Sequence, residues 1–296
     1  MSAPIESART SLLPDALELY QRSFYRCWPL SLAGAVTGAL AGFYAALRVQ
    51  QLMAAGHALL SSALNAPQDA SNFGLPDVSS LQTLLTQMQS LVTATLRPPA
   101  VWLSYLGAAL ITLSFHGLLV HEQSMLDAQT PGGGVVRRPA SVLLPGMLLA
   151  ALLLVIANAL ASYVAGVLMT HNHAVLLIGL LLLVTWLWGC LQLWLVAMFS
   201  EDRGALDAFR HSWKAVSGHW WYASAATTLP YILIFLASAL ASLVAGRVGL
   251  PAGASSVALV QGLQAAVAVF TLPLLPAWWL VLYRGLQSAG QSQRPG

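Results

Sequence analysis

"AVLLIGLLLLVTWLWG", residues 174–189, contains no charged residue and almost nothing polar. Isolated water-soluble helices do not carry such runs. A helix rises about 1.5 Å per residue, so about 20 apolar residues cross a hydrocarbon core about 30 Å thick. This run sits inside a longer apolar stretch, 174–200, and five more stretches share its character: 28–49, 100–120, 141–170, 219–246 and 255–283. Of the 296 residues only 8% are charged and 57% are hydrophobic, whereas a soluble domain carries roughly a quarter charged residues. The expected fold class is therefore all-α, a polytopic bundle of six transmembrane helices with short cytoplasmic interfacial helices. The first stretch follows a long, partly acidic leader with no small-residue cleavage site after it, so it reads as a span rather than a cleavable signal.

Orientation follows from arginine and the single lysine, because cytoplasmic loops collect them. One side holds Arg9, Arg22, Arg26, Arg137, Arg138, Arg203, Arg210, Lys214, Arg284 and Arg294, and the other only Arg48, Arg97 and Arg247. This places both termini, and the connections after the second and fourth spans, in the cytoplasm. Trp28, Trp220, Trp221, Trp278, Trp279 and Tyr283 fit a cytoplasmic aromatic belt, with Trp102 and Tyr105 at the outer face. The chain divides into a cytoplasmic segment 1–27 with an amphipathic helix, a six-span domain 28–287, and a tail 288–296. Within the domain lie an outer amphipathic segment, 77–97, and a cytoplasmic interfacial helix, 204–217.

That interfacial helix, "GALDAFRHSWKAVS", concentrates charge where the chain otherwise avoids it. Leu206, Phe209, Trp213 and Val216 recur at helical spacing and form an apolar face. Asp207, Arg210, His211 and Lys214 take the other side, with Asp207 within reach of Arg210 or His211. Gly218 is a natural terminator. Asp207, Arg210, His211, Trp213 and Lys214 are the candidate interaction surface. The pattern has an echo, since "ALELYQRSF" at 16–24 aligns with "ALDAFRHSW" at 205–213. The ends of the even spans also rhyme: "LLVHEQSMLDA", "LVAMFSEDRGALDA" and "LVLYRGLQSA". Three helical hairpins in tandem account for this, as does convergence of two helices under one interfacial constraint.

An acidic residue, then Ala-Leu, then Ser-Trp, then paired tryptophans entering a span resembles a group of bacterial six-span inner-membrane proteins. These are related to the membrane domain of some glycerophosphodiester phosphodiesterases. The residues that carry the resemblance are Glu201, Ala205, Leu206, Ser212, Trp213, Trp220 and Trp221. It implies a multi-pass protein of the bacterial inner membrane. It supplies no catalytic residues, and the chain has no soluble phosphodiesterase domain.

Gly34, Gly38 and Gly42 set small residues four apart in the first span, a spacing that lets helix backbones approach closely. Packing inside the bundle or between two copies would both use it. Asn158, Gln192, Gln261 and Gln264, with Pro230, Pro273 and Pro276, are polar or helix-breaking groups in spans three to six. Asn158, Gln192 and Gln264 form the candidate intramembrane polar site. His116, His121 and Glu122 cluster near one helix end, and His171 and His173 in an outer turn, but neither group supplies the three or four convergent ligands of a metal site. Cys27 and Cys190 fall at an expected membrane edge and inside an expected span, where neither suits a secreted disulfide framework or the clustered ligands of a zinc site.

No Asp, Glu, Lys or Arg falls in the middle of any span, which disfavours ion-coupled transport, since a central charge costs at least about 2.5 kcal/mol. No HExxH, nucleophile elbow with a base, or Walker loop is present. The expectation is a non-enzymatic inner-membrane protein with no cofactor, acting through lipid or protein contacts in envelope maintenance. Membrane lipids, a protein partner or a second copy are its expected partners, and a net charge of +3 gives no nucleic-acid surface. The alternative is an uncoupled carrier or lipid-handling transporter built on the polar site.

Overall fold

The computed structural model describes residues 3–64, 78–96, 98–128, 142–149, 193–248 and 253–292, with scattered positions between 151 and 183. The regular structure among them is helical: α1 (Ala3–Leu64), α2 (Val78–Leu96), α3 (Pro99–Ala128), α4 (Trp194–Ser200), α5 (Ala205–Val216), α6 (Trp220–Arg247), α7 (Ala254–Thr271) and α8 (Leu274–Ser292), with residues 142–149 helical as well. Four helical stretches among the described residues are long and apolar enough to cross a membrane: Leu12–Ser62, Pro99–Leu126, Trp220–Arg247 and Ala254–Ala289. Parts of the expected spans 141–170 and 174–200 fall outside the described residues, as do Asn158, Gln192, Cys190, His171 and His173.

The leader and the first span are one helix. α1 runs 62 residues, well beyond the about 20 that cross a hydrocarbon core. The echo segment behaves differently, because α5 ends at Gly218, whose φ is +83°. In the alignment of 16–24 with 205–213, the residue matching Gly218 is Pro29. Proline is fixed near −65° and cannot enter the left-handed region that turns the chain, so α1 continues where α5 stops.

The chain forms two compact units. The first comprises Met1–Val36, Leu110–Ala239 and Ala266–Gly296. Its centre is α4, buried from Trp194 to Phe199. α5 and α8 pack on α4 and on each other. Leu12, Ala16 and Leu19 of α1, Leu143 and Met147, and Ala223 and Ala226 of α6 complete the core. α1 also packs on α3: a Cβ at Gly34 would lie 2.7 Å from Cγ of Phe115.

The last expected span is interrupted. α7 gives way to α8 at Leu272 and Pro273, where Pro273 and Pro276 bring no backbone N–H. Phe270 stacks on Phe24, and Gln123 donates to the Pro273 carbonyl at 2.8 Å. Trp279 then meets His116, two turns back along α3, so the contacts of α8 run antiparallel to that helix. This corrects the expected aromatic belt: Trp278, Trp279 and Tyr283 are buried in the core rather than set in a surface band. The reason for Trp278 is chemical. Pro230 inside α6 leaves the Ala226 carbonyl without its helical donor, and Trp278 Nε1–H donates to that oxygen at 2.9 Å.

The second unit comprises Thr37–Ala109 and Leu240–Ala265. Here α1 packs on α3 again, with the Ser104 hydroxyl bonded to the Ala41 carbonyl and a Cβ at Gly42 placed 3.6 Å from Ala108. Gln50 of α1 donates to the Ser256 hydroxyl of α7 at 2.5 Å. The expected amphipathic segment 77–97 forms α2, whose Met88 would lie 3.8 Å from a Cβ at Gly56 of α1.

Candidate functional site

α5 is placed by the turn before it. α4 ends with Asp202 in the left-handed region at φ +58°, and Arg203 N–H bonds back to the Met198 carbonyl at 3.1 Å. This is a Schellman closure, which left-handed Asp tolerates better than most residues do. It delivers Glu201 and Arg203 to the start of α5. Gly204 begins the helix without a side-chain cap, and the Gly204 carbonyl takes the first bond, from Ala208 N–H at 2.8 Å. Asp207 in the first turn and Lys214 in the last match the helix dipole.

The faces of α5 divide differently from the sequence expectation. Ala208, Ser212 and Val216 are buried, Ala205, Phe209 and Ala215 are packed against the core, and Phe209 lies 5.1 Å from the Trp194 ring. Leu206 and Trp213 do not join them: Leu206 is 73% exposed and Trp213 38%. The expected apolar face of Leu206, Phe209, Trp213 and Val216 is thus split. The physical reason is that small side chains allow close approach to α4, so the contact arc centres on Ser212. Leu206 and Trp213 are left on an outer edge beside Arg210. Arg210 and Lys214 are exposed and His211 is half-buried.

Asp207 also pairs differently. Its Oδ2 accepts from Arg203 Nη1 at 2.8 Å, not from Arg210 or His211. Arg203 bonds Glu201 as well, and Gln287 of α8 donates to the other Glu201 oxygen. Burial alone would raise the Glu201 pKa. The bonds from Arg203 and Gln287, the nearby Tyr283 and the Arg203 charge outweigh it and hold the carboxyl below its ordinary value. Asp207 is likewise held low, chiefly by its bond from Arg203. The charged node is therefore a brace tying α4, α5 and α8 together. Arg203 and Gln287 were not among the candidate residues. The acid–base spacing 203–207 could have signalled the first, but nothing local signals the second.

The two aligned segments can be compared by burial. Leu19, Ser23 and Cys27 are buried on α1, as are Ala208, Ser212 and Val216 at the matching places on α5, whereas buried Ala16 matches Ala205, which is half-buried. Tyr20 and Phe209 both pack against the core, while Leu17 and Leu206 are both exposed. Among the other candidates, Gly34 touches Phe115 and Gly42 approaches Ala108, and Gly38 lies between them on α1. Gln264 donates to the Ser242 hydroxyl at 3.2 Å, with its expected companions Asn158 and Gln192 outside the described residues. Among the described residues no three His, Cys, Asp or Glu side chains gather in a way that could hold a metal ion. In comparisons with known proteins, no family model, curated protein or solved structure matches the chain.

Proposed function

We propose that this chain is a six-span protein of a bacterial inner membrane, with both termini in the cytoplasm, that acts without catalysis through lipid or protein contacts made at α5. The observation that supports this reading is the outer edge of α5. There an exposed Leu206 and a part-exposed Trp213 stand beside exposed Arg210 and Lys214. That combination suits the headgroup layer, where apolar side chains and an indole reach inward and basic groups meet phosphates. The buried stripe and the Arg203–Asp207 brace fix the helix with this edge outward. Leu17 at the matching place on α1 is exposed in the same way, consistent with segments descended from a duplicated hairpin, although on α1 the helix runs on into the span. Kinship with the six-span group that 201–221 resembles, and a part in envelope maintenance, belong to the same proposal.

Spin labels at positions 206, 210 and 213 of the full chain in phospholipid nanodiscs test the anchoring. Labels at 206 and 213 should relax with lipid-soluble oxygen, and the label at 210 with a water-soluble nickel complex. Water-type relaxation at all three positions overturns the anchoring. For the contact itself, Arg210→Glu with Lys214→Glu should remove copurifying lipid or protein, read by mass spectrometry, at unchanged thermal stability. Unaltered copurification would move the uncoupled-carrier reading, with Asn158, Gln192 and Gln264, ahead.

A further inference from the structure

In the first unit, Arg22 pairs with Glu18, Arg26 with Glu122, and Arg203 with both Glu201 and Asp207. Arg210 and Lys214 of α5 differ. Among the described residues neither side chain makes an ion pair or a hydrogen bond, and both are exposed. The nearby acid is Asp207, but its bond goes to Arg203, and Arg210 acts on it only through its charge. At about 100° per residue, the exposed side chains follow one another around α5 in the order Trp213, Leu206, Arg210, Lys214, Asp207. Phe209, on the core side of Trp213, packs against Trp194. The edge thus passes from apolar to basic, and the one acid of α5 lies at its far side, turned to the brace. The echo on α1 lacks this pair: Gln21 and Tyr25 stand at the places of Arg210 and Lys214.

On the basis of the contact proposed at α5, we infer that Arg210 and Lys214 bind the phosphodiester headgroup of an anionic phospholipid such as phosphatidylglycerol, with Leu206 and Trp213 against its acyl chains. The two cations stand one helical turn apart without a bonded counter-charge. A zwitterionic headgroup carries its own ammonium beside the phosphate, whereas phosphatidylglycerol brings a phosphate with no internal partner. Each basic residue held at an anionic surface strengthens binding roughly fivefold, and a guanidinium can grip phosphate oxygens with two parallel bonds. The neighbours of the pair favour a lipid over an acidic protein. Ser217, Gly218 and His219 alone separate α5 from α6, which is long and apolar enough to cross a membrane. Trp220 and Trp221 stack with ring centroids 3.9 Å apart where α6 begins, and exposed Trp221 suits the headgroup boundary. Leu206 and Trp213, on the flank beside Arg210, reach inward while the cations stay level with the phosphates.

The full chain with dansylalanine encoded at position 206, in phosphatidylcholine nanodiscs, tests this. Phosphatidylglycerol and phosphatidylcholine, each carrying a nitroxide near the top of an acyl chain, are added at the same mole fraction and differ only in the headgroup. The anionic lipid should quench the dansyl group at least about threefold more strongly. With Arg210→Gln and Lys214→Gln together the two lipids should quench alike, at unchanged melting temperature because both side chains are exposed. Equal quenching in the chain that keeps both basic residues overturns the inference but leaves the anchoring standing, since the label still meets lipid. A preference that survives the double substitution also overturns it, because the attracting charge would then lie elsewhere. Quenching by neither lipid overturns the anchoring as well and leaves the basic pair to an acidic protein surface.

Discussion

Glu201 shows how one side chain can tie three helices together. Its carboxylate takes bonds from Arg203 and from Gln287 of α8, and its pKa is lowered even though burial opposes ionisation. A carboxyl with a lowered folded pKa adds stability that is fully present above its unfolded value, about 4.3, and is lost as the pH falls through the folded value. Thermal melting of the wild type against Glu201→Gln should therefore show the largest gap near neutral pH, closing below about pH 4.3. A gap independent of pH would mean that the charge of Glu201 adds nothing. Arg203→Ala should cost about 1–3 kcal/mol, because it strands a half-buried carboxylate. The glycines give a second test at this scale. A Cβ at Gly34 would sit 2.7 Å from Phe115 Cγ, next to the α3 backbone, while one at Gly42 meets Ala108 at an ordinary 3.6 Å. Gly34→Ala should lower stability by about 1–3 kcal/mol through overpacking, and Gly42→Ala by much less. Equal melting temperatures would contradict the close approach at Gly34. The spacing of these glycines was legible in the sequence. Which of them bears the contact was not, because that depends on Phe115, eighty-one residues away.

At the scale of elements, apolar length and helical periodicity carried most of the reading. The boundaries of α5 and α2 lie within a residue of segments 204–217 and 77–97. The sequence misled where an apolar residue had two equivalent destinations. Paired tryptophans at the end of a hydrophobic stretch look the same whether they face headgroups or a core, and Trp278 and Trp279 went to the core. What decides Trp278 is an acceptor on another helix, the Ala226 carbonyl that Pro230 frees. Likewise Leu206, Phe209, Trp213 and Val216 read as one apolar face, but Phe209 and Val216 went to the core while Leu206 and Trp213 stayed outside it. The Trp278 account makes a two-step prediction. Trp278→Phe leaves the buried Ala226 oxygen without a donor and should cost about 1–3 kcal/mol beyond the lost packing. Adding Pro230→Ala to that variant supplies a backbone N–H at the right place in α6, and should recover part of the loss. In the wild-type background Pro230→Ala should bring little, since the carbonyl is already satisfied. Additive effects of the two changes, measured by denaturation in detergent, would break the link between the proline and the tryptophan.

For the whole molecule the open quantity is the number of crossings. Four helical stretches among the described residues are long and apolar enough, and the sequence adds 141–170 and 174–200. The run 174–189 contains ten Leu, Ile and Val residues and no charge. At about −0.3 to −0.6 kcal/mol each near the centre of a span, they favour insertion by about 3–6 kcal/mol. The arginine distribution then sets direction. Arg137 and Arg138 precede this pair of stretches, Arg203, Arg210 and Lys214 follow it, and the short turn between them has none. A six-span chain therefore carries the turn at Asn172 to the outside while Gly133 and Gly296 stay in the cytoplasm. Were only the four described stretches to cross, everything between α3 and α6 would stay on one side, and Asn172 would share the location of Gly133. Paired phosphatase and fluorescent-protein fusions at the three positions separate the cases. The expected signals are inside at Gly133, outside at Asn172 and inside at Gly296. An inside signal at Asn172 would reduce the crossings to four and remove the middle hairpin of the proposed repeat. An outside signal at Gly133 would invert the bundle and put α5, with its basic edge, on the wrong face of the membrane for the proposed contacts.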